Sequence, residues 1–163
     1  MNNFELLHTS YPPIWDEKDK EIIIEIETII YPSESEIKVI KAVNNIFPNI
    51  ELSKNVDRIT AKSNNATDLY EFCKLIYNQK ILDSTRKLFL EYSNIPEQNN
   101  SENKIAIYST NINLNKQLAF YKKISYNLDY NVPLGSINIS LKSAYLKEFI
   151  DKFFPKFEWF KTN

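Results

Sequence analysis

The sequence predicts an α+β fold: a mainly antiparallel sheet with helices packed on one face. Three observations carry this. Glu21 to Ile30 alternates, with Ile22, Ile24, Ile26 and Ile30 on one side and Ile23, Glu25, Glu27 and Ile29 on the other, the pattern of a strand. Ile137, Ile139 and Leu141 alternate with Ser136, Asn138 and Ser140 in the same way. Other stretches carry apolar residues at three- and four-residue spacing, the buried stripe of a helix.

In chain order, Met1 to Lys20 has no clear period and reads as an amino-terminal extension, with residues 21–163 as a single α+β domain. Tyr11-Pro12-Pro13 disfavours helix. Leu6, Leu7, Ile14 and Trp15 either tie the extension to the body or leave it a tail. After the first strand, Ser33 with Glu36 fits a capping box that opens a helix. Its apolar stripe holds Ile37, Ile40, Val43 and Phe47, and Pro48 ends it. Ile50–Ser53 and Val56–Lys62 read as two strands joined by a turn near Lys54-Asn55. Asn65 caps one or two helices running to Tyr92, with a break near Asn78-Gln79-Lys80. Lys104–Ser109 reads as the next strand and Leu114–Phe120 as a short helix. Ile124–Asn127 is a modest strand. In Val132-Pro133-Leu134-Gly135, proline suits the second position of a type I turn and glycine the fourth. The last helix begins at Ser143, buries Leu146, Phe149, Ile150 and Phe153, and stops before Pro155. Phe157, Trp159 and Phe160 either dock onto the body, line a ligand site or form an oligomer contact.

Composition narrows the chemistry. One glycine in 163 residues excludes glycine-rich phosphate loops and the dinucleotide fingerprint. One cysteine, Cys73, permits no intrachain disulfide and fits a cytoplasmic setting. Cys73 lies in a helical apolar stripe and reads as an inert buried thiol. His8 is the lone histidine, so neither a histidine-based catalytic triad nor a structural zinc site can be assembled. No stretch is apolar enough to span a membrane. No enzyme activity, cofactor or metal is expected.

The net charge of −1 hides an asymmetry. Met1 to Glu36 holds nine acidic and two basic residues, and the remainder 12 acidic and 18 basic. A basic body suits a polyanion. With helices on one side of the sheet, the other side presents Arg58, Thr60, Lys62, Lys104, Tyr108, Asn138 and Ser140, where cations reach phosphates and Tyr108 stacks on a base. Lys80, Lys116, Gln117, Lys122 and Lys123 add polar groups close by.

Gln79-Lys80-Ile81-Leu82-Asp83-Ser84-Thr85-Arg86, Asn113-Leu114-Asn115-Lys116-Gln117-Leu118-Ala119-Phe120 and Pro133-Leu134-Gly135-Ser136-Ile137 together resemble an archaeal family of small, uncharacterised proteins predicted to bind RNA. The resemblance covers Glu21 to roughly Pro155. It implies a fold similar to the fifth ribosomal protein of the large subunit and a role in RNA processing or translation. Three departures stand out. Tyr77-Asn78-Gln79-Lys80 replaces a basic pair, Tyr121-Lys122-Lys123 lies where the family has a glycine, and Ser136 replaces a proline.

The expected RNA contacts are therefore Arg58, Lys62, Lys80, Arg86, Asn115, Lys116, Gln117 and Lys122, with Arg86 and Lys116 on the backbone and Asn115 and Gln117 making polar contacts. A second role open to Asn115 and Gln117 is to bond local loop backbone, and one open to Arg86 is to satisfy a carboxylate on a neighbouring element. The competing function is a protein-interaction or structural adaptor, with a protein partner or a second copy of the chain in place of RNA.

Overall fold

The computed structural model describes residues 11–15, 21–94, 106–129 and 132–160. His8 and Lys104 lie outside the described residues. The strands are β1 (Ile23–Ile29), β2 (Ser53–Asn55), β3 (Arg58–Ser63), β4 (Tyr108–Asn115) and β5 (Ser136–Ser143). The helices are α1 (Glu36–Ile46), α2 (Tyr70–Asn78), α3 (Leu82–Glu91), α4 (Lys116–Phe120) and α5 (Leu146–Phe153). Short 3₁₀ turns at Ala66–Leu69 and Phe157–Phe160 flank α2 and follow α5.

The five strands form one sheet in the order β2-β3-β1-β5-β4, with every pairing antiparallel. β1 is central, with Ile26 opposite Ala61 on one neighbour and Ile139 on the other. Strand alternation sorts the side chains. Ile24, Ile26, Ile59, Ala61, Ile112, Leu114, Ile137, Ile139 and Leu141 are buried toward the helices. Glu25, Glu27, Arg58, Thr60, Lys62, Asn138 and Ser140 lie on the open face. The helices close the other side with Phe47, Phe72, Phe89, Phe149, Phe153 and Phe154, all fully buried. Helices on one face of an antiparallel sheet is the architecture the patterns imply.

Several elements differ from the sequence reading. The strand expected at Lys104–Ser109 is instead Tyr108–Asn115. Its inward parity puts Tyr108 on the helix side, packed against the core and away from the open face. The α1 cap is Ser35 rather than Ser33, with Ser35 Oγ accepting from the Lys38 amide at 3.5 Å. The buried stripe of α1 runs through Val39, Ala42, Val43 and Ile46, and Ile37, expected in it, is 80% exposed. The β2–β3 hairpin turns at Val56-Asp57, not at Lys54-Asn55, with Val56 in the left-handed region at φ 55°. Ile124–Asn127 contributes an isolated bridge, Tyr126 to Leu114, rather than a strand. The turn before β5 has Leu134 at φ 64° in its third position, the signature of type II rather than type I.

The outer edge of β4 is covered by short segments. Asn94 bonds Ser109 in both directions, Asn115 N–H donates to Ser125 O at 2.8 Å and Asn127 N–H to Asn113 O at 2.9 Å.

Of the two alternatives for the start of the chain, residues 11–15 follow the anchored one. Trp15 is 7% exposed and sits edge-on to Phe149, with centroids 5.1 Å apart. The Tyr11 hydroxyl donates to Phe153 O at 2.8 Å and the Tyr70 hydroxyl to Pro13 O at 2.7 Å. Ile14, expected as a second anchor, points to solvent. Truncating a buried indole removes its transfer free energy and leaves a cavity. Trp15→Ala should therefore lower stability by about 3 kcal/mol, read by urea unfolding; a loss within error would mean that this segment is not docked in solution.

Candidate functional site

The residues singled out by the sequence fall into three groups. The first is architectural. Lys116 follows β4 directly and continues its inward parity, so its side chain enters the protein and is 4% exposed. Its Nζ donates to Ile29 O at 2.6 Å, Leu134 O at 2.7 Å and the Glu34 carboxylate at 3.0 and 3.2 Å. Three ammonium protons thus meet three acceptor groups. The ammonium also lies 5.4 Å from the centre of the Tyr31 ring. That ring crosses Gly135 so closely that a Cβ there would come within 3.2 Å of it, and Gly135 itself has φ +68°. One lysine thereby joins the end of β1, the loop into α1, the turn before β5 and α4.

Arg86 is also interior, 7% exposed. It pairs with Asp151 at 2.6 Å and donates to Phe154 O at 3.3 Å, holding α3 to α5. Partial burial of the Asp151 carboxyl raises its pKa, but hydrogen bonds and charge from Lys147 and Arg86 outweigh that, and the net shift is downward. Asn115 caps α4, its Oδ1 accepting from the Leu118 amide at 2.9 Å, which is the local backbone role left open for it. Gln79 brackets the Ile124 backbone at 2.7 and 2.9 Å, and Asp83 accepts from the Phe157 amide at 2.7 Å.

The second group is the open sheet face. Among the described residues, each of its cations stands beside a carboxylate. Arg58 pairs with Glu27, while Lys62 and Lys142 lie 3.9 and 3.0 Å from Glu25. Asn138 Nδ2 donates to Asn113 Oδ1 at 2.9 Å. Charge on this face is largely cancelled in place.

The third group surrounds an open cleft of about 400 Å³ between α1 and α4. Its lining includes Ser33, Lys38, Gln117, Phe120 and Tyr121. Glu34, the carboxylate in its wall, is already met by Lys116. Gln117 is exposed at the mouth rather than bonded to loop backbone. Lys41 reaches over the Phe120 ring at 4.7 Å. Lys122 and Lys123 follow Tyr121, and Lys80 adjoins the junction of Gln79 with Ile124. Lys38, Lys41, Lys80, Lys122 and Lys123 are exposed and have no carboxylate partner among the described residues. Lys38 and Lys41 were not among the expected contacts. Their signal was available as i, i+3 spacing on the polar side of α1.

Lys122 lies in the segment where the resembled family has a glycine, and Lys80 takes the equivalent backbone position after α2. Both occupy the left-handed position of a Schellman cap, at φ 59° and 58°. After α2, Lys80 N–H bonds Tyr77 O and Ile81 N–H bonds Ile76 O, at 3.1 and 3.0 Å. After α4, Lys122 N–H bonds Ala119 O and Lys123 N–H bonds Leu118 O, both at 3.0 Å. Glycine is the usual occupant of this position.

Burial pushes the Cys73 thiol up to about 12, partly offset by a hydrogen bond with Tyr11, so it stays protonated and poorly nucleophilic. Among the described residues no helix is long and apolar enough to cross a membrane.

Comparison with known proteins gives the family and the fold. A Sulfurisphaera tokodaii UPF0201 protein is 32% identical over 141 residues, covering 83% of this chain and 88% of its own length. The chain belongs to the UPF0201 family. An Archaeoglobus fulgidus UPF0200/UPF0201 protein is 34% identical over 139 residues, and the chain spans only 38% of that longer relative. A crystal structure of a UPF0201 protein superposes with a TM-score of 0.64 at 30% identity, covering 82% of this chain and 94% of that one. No family model matches the sequence. The relatives named here are archaeal, and in this UPF0201 chain the motif residues Lys116 and Leu134 meet directly.

Two measurements follow. Lys116→Met strands the Glu34 carboxylate and should cost about 3–5 kcal/mol, with Lys116→Met/Glu34→Gln recovering part of it; equal loss in both would rule out the ion pair as the cause. Lys122→Gly relieves the left-handed strain and should raise stability by about 0.5–1 kcal/mol; a lower unfolding midpoint would contradict the backbone assignment.

Proposed function

We propose that this UPF0201 protein binds RNA without catalysing a reaction, in RNA processing or translation, on a scaffold similar to the fifth large-subunit ribosomal protein. The contact surface is the rim of the α1–α4 cleft, not the sheet face. The observation that carries the reading is the sorting of cations. Those on the described sheet face have carboxylates within reach, and Arg86 and Lys116 are committed to the interior. Lys38 lines the cleft, Lys41 lies over its Phe120, and Lys122 and Lys123 follow its Tyr121, all without a carboxylate partner among the described residues. Lys80, Lys74, Lys87 and Lys152 are also exposed without one, spread over the ends and outer sides of the other helices. A cation already neutralised by a neighbour contributes little to a phosphate, whereas a free lysine releases counterions when it meets one. Lys80 and Lys122 remain in the proposed contact set, joined by Lys38, Lys41 and Lys123. Gln117 supplies a polar group at the mouth.

A salt titration against single-stranded and structured RNA tests this. Lys38→Ala/Lys41→Ala should weaken binding and flatten the dependence of log K on log salt by about 1.4 for single strands. Arg58→Ala/Lys62→Ala should leave that slope nearly unchanged. Absence of binding at low ionic strength would defeat the proposal; loss only in the sheet-face variant would move the contact surface to the sheet.

A further inference from the structure

We infer that the α1–α4 cleft receives one unpaired base of a single-stranded RNA, stacked on Tyr121 with its edge at the Gln117 amide. This rests on the RNA-binding reading and adds the form of RNA and the group recognised. Tyr121 is 70% exposed, yet its position is fixed from three sides. Its amide donates to Leu118 O at 2.9 Å, its ring stands perpendicular to Phe120 at 5.1 Å, and Lys122 is pinned in the left-handed cap that follows. An aromatic face kept in water on a rigid backbone is preorganised for stacking, since little freedom remains to be lost on binding.

The cleft is of small-molecule size, about 400 Å³. Gln117, exposed at its mouth, carries both an amide donor and an acceptor and has no hydrogen-bond partner among the described residues. Ser33 adds a hydroxyl in the same position. These groups suit the hydrogen-bonding edge of a base, which a duplex keeps paired and a single strand exposes. Lysines on both sides distinguish a strand from a free nucleotide. Lys38 and Lys41 lie along α1, and Lys122 and Lys123 lie beyond α4, so phosphates on either side of the inserted base each meet cations.

The test is fluorescence anisotropy with an unstructured oligoribonucleotide, the same oligomer carrying one abasic position at its centre, and a fully paired duplex. Tyr121→Ala should weaken binding of the intact single strand by about 5- to 150-fold without changing its salt slope, and Tyr121→Trp should restore it. The abasic oligomer should lose affinity for the parent protein, and duplex binding should be indifferent to Tyr121. Undiminished single-strand binding by Tyr121→Ala would overturn the stacking site while leaving RNA binding in place. Failure of the parent protein to bind any of the three would overturn both.

Discussion

The ammonium of Lys116 is the interaction on which the rest of this structure depends. A lysine at 4% exposure is tolerable only if every proton finds an acceptor, because desolvating a bare charge costs several kcal/mol. Here two backbone carbonyls and a carboxylate supply them, from β1, the turn before β5 and the loop preceding α1. The connection from β1 to α1 lies far in sequence from the turn before β5 and from Lys116 itself, and these meet only when the sheet order and the α1–α4 packing are both correct. The buried charge therefore ties the fold to one arrangement. It also shapes the cleft wall, since Glu34 and Leu134 line the cleft beside it.

Charge elsewhere is divided by the same physics. Cations entering the core or the helix seam acquire partners because low-dielectric surroundings require them. Those on the sheet face stand across from glutamates because β1 carries Glu25 and Glu27 at the register positions facing Lys62 and Thr60. What has no carboxylate partner among the described residues lies on the helix layer: Lys38 and Lys41 on α1, Lys80, Lys122 and Lys123 at two helix ends, and Lys74, Lys87 and Lys152 on the other helices. A chain with almost no net charge can thereby present a local surplus on one surface.

Much of the architecture was legible in the amino acids. The Ile22–Ile30 and Ile137–Leu141 alternations placed the central strands with the correct inward faces, and the break at Asn78–Lys80 fell where α2 gives way to α3. Errors arose where two signals competed. Asn-rich β4 lacks the usual β-branched composition and read as a polar run, which moved the strand upstream and put Tyr108 on the wrong face. Had the strand been carried to Asn115, parity alone would have sent Lys116 inward. The same scarcity of glycine that excluded phosphate loops concealed the caps, because lysines hold positions where glycine normally marks a helix end. The motif residues Gln79, Asp83, Arg86 and Lys116 proved to join distant segments, a role that spacing along the chain does not reveal. The cleft needed α1 and α4 side by side, and nothing local in either helix announces that pairing.

The rims of the sheet carry one more implication. A free strand edge is a template on which further chains can add, and repeated addition builds fibres. On one side β2 is only three residues long. On the other, Ser109, the Asn113 carbonyl and the Asn115 amide are already bonded, so Asn111 and the Asn113 amide are what lies open between them among the described residues. So short an unsealed stretch gives an incoming strand little register to lock onto. Crowded copies therefore find little strand edge along which their sheets could zip into one another.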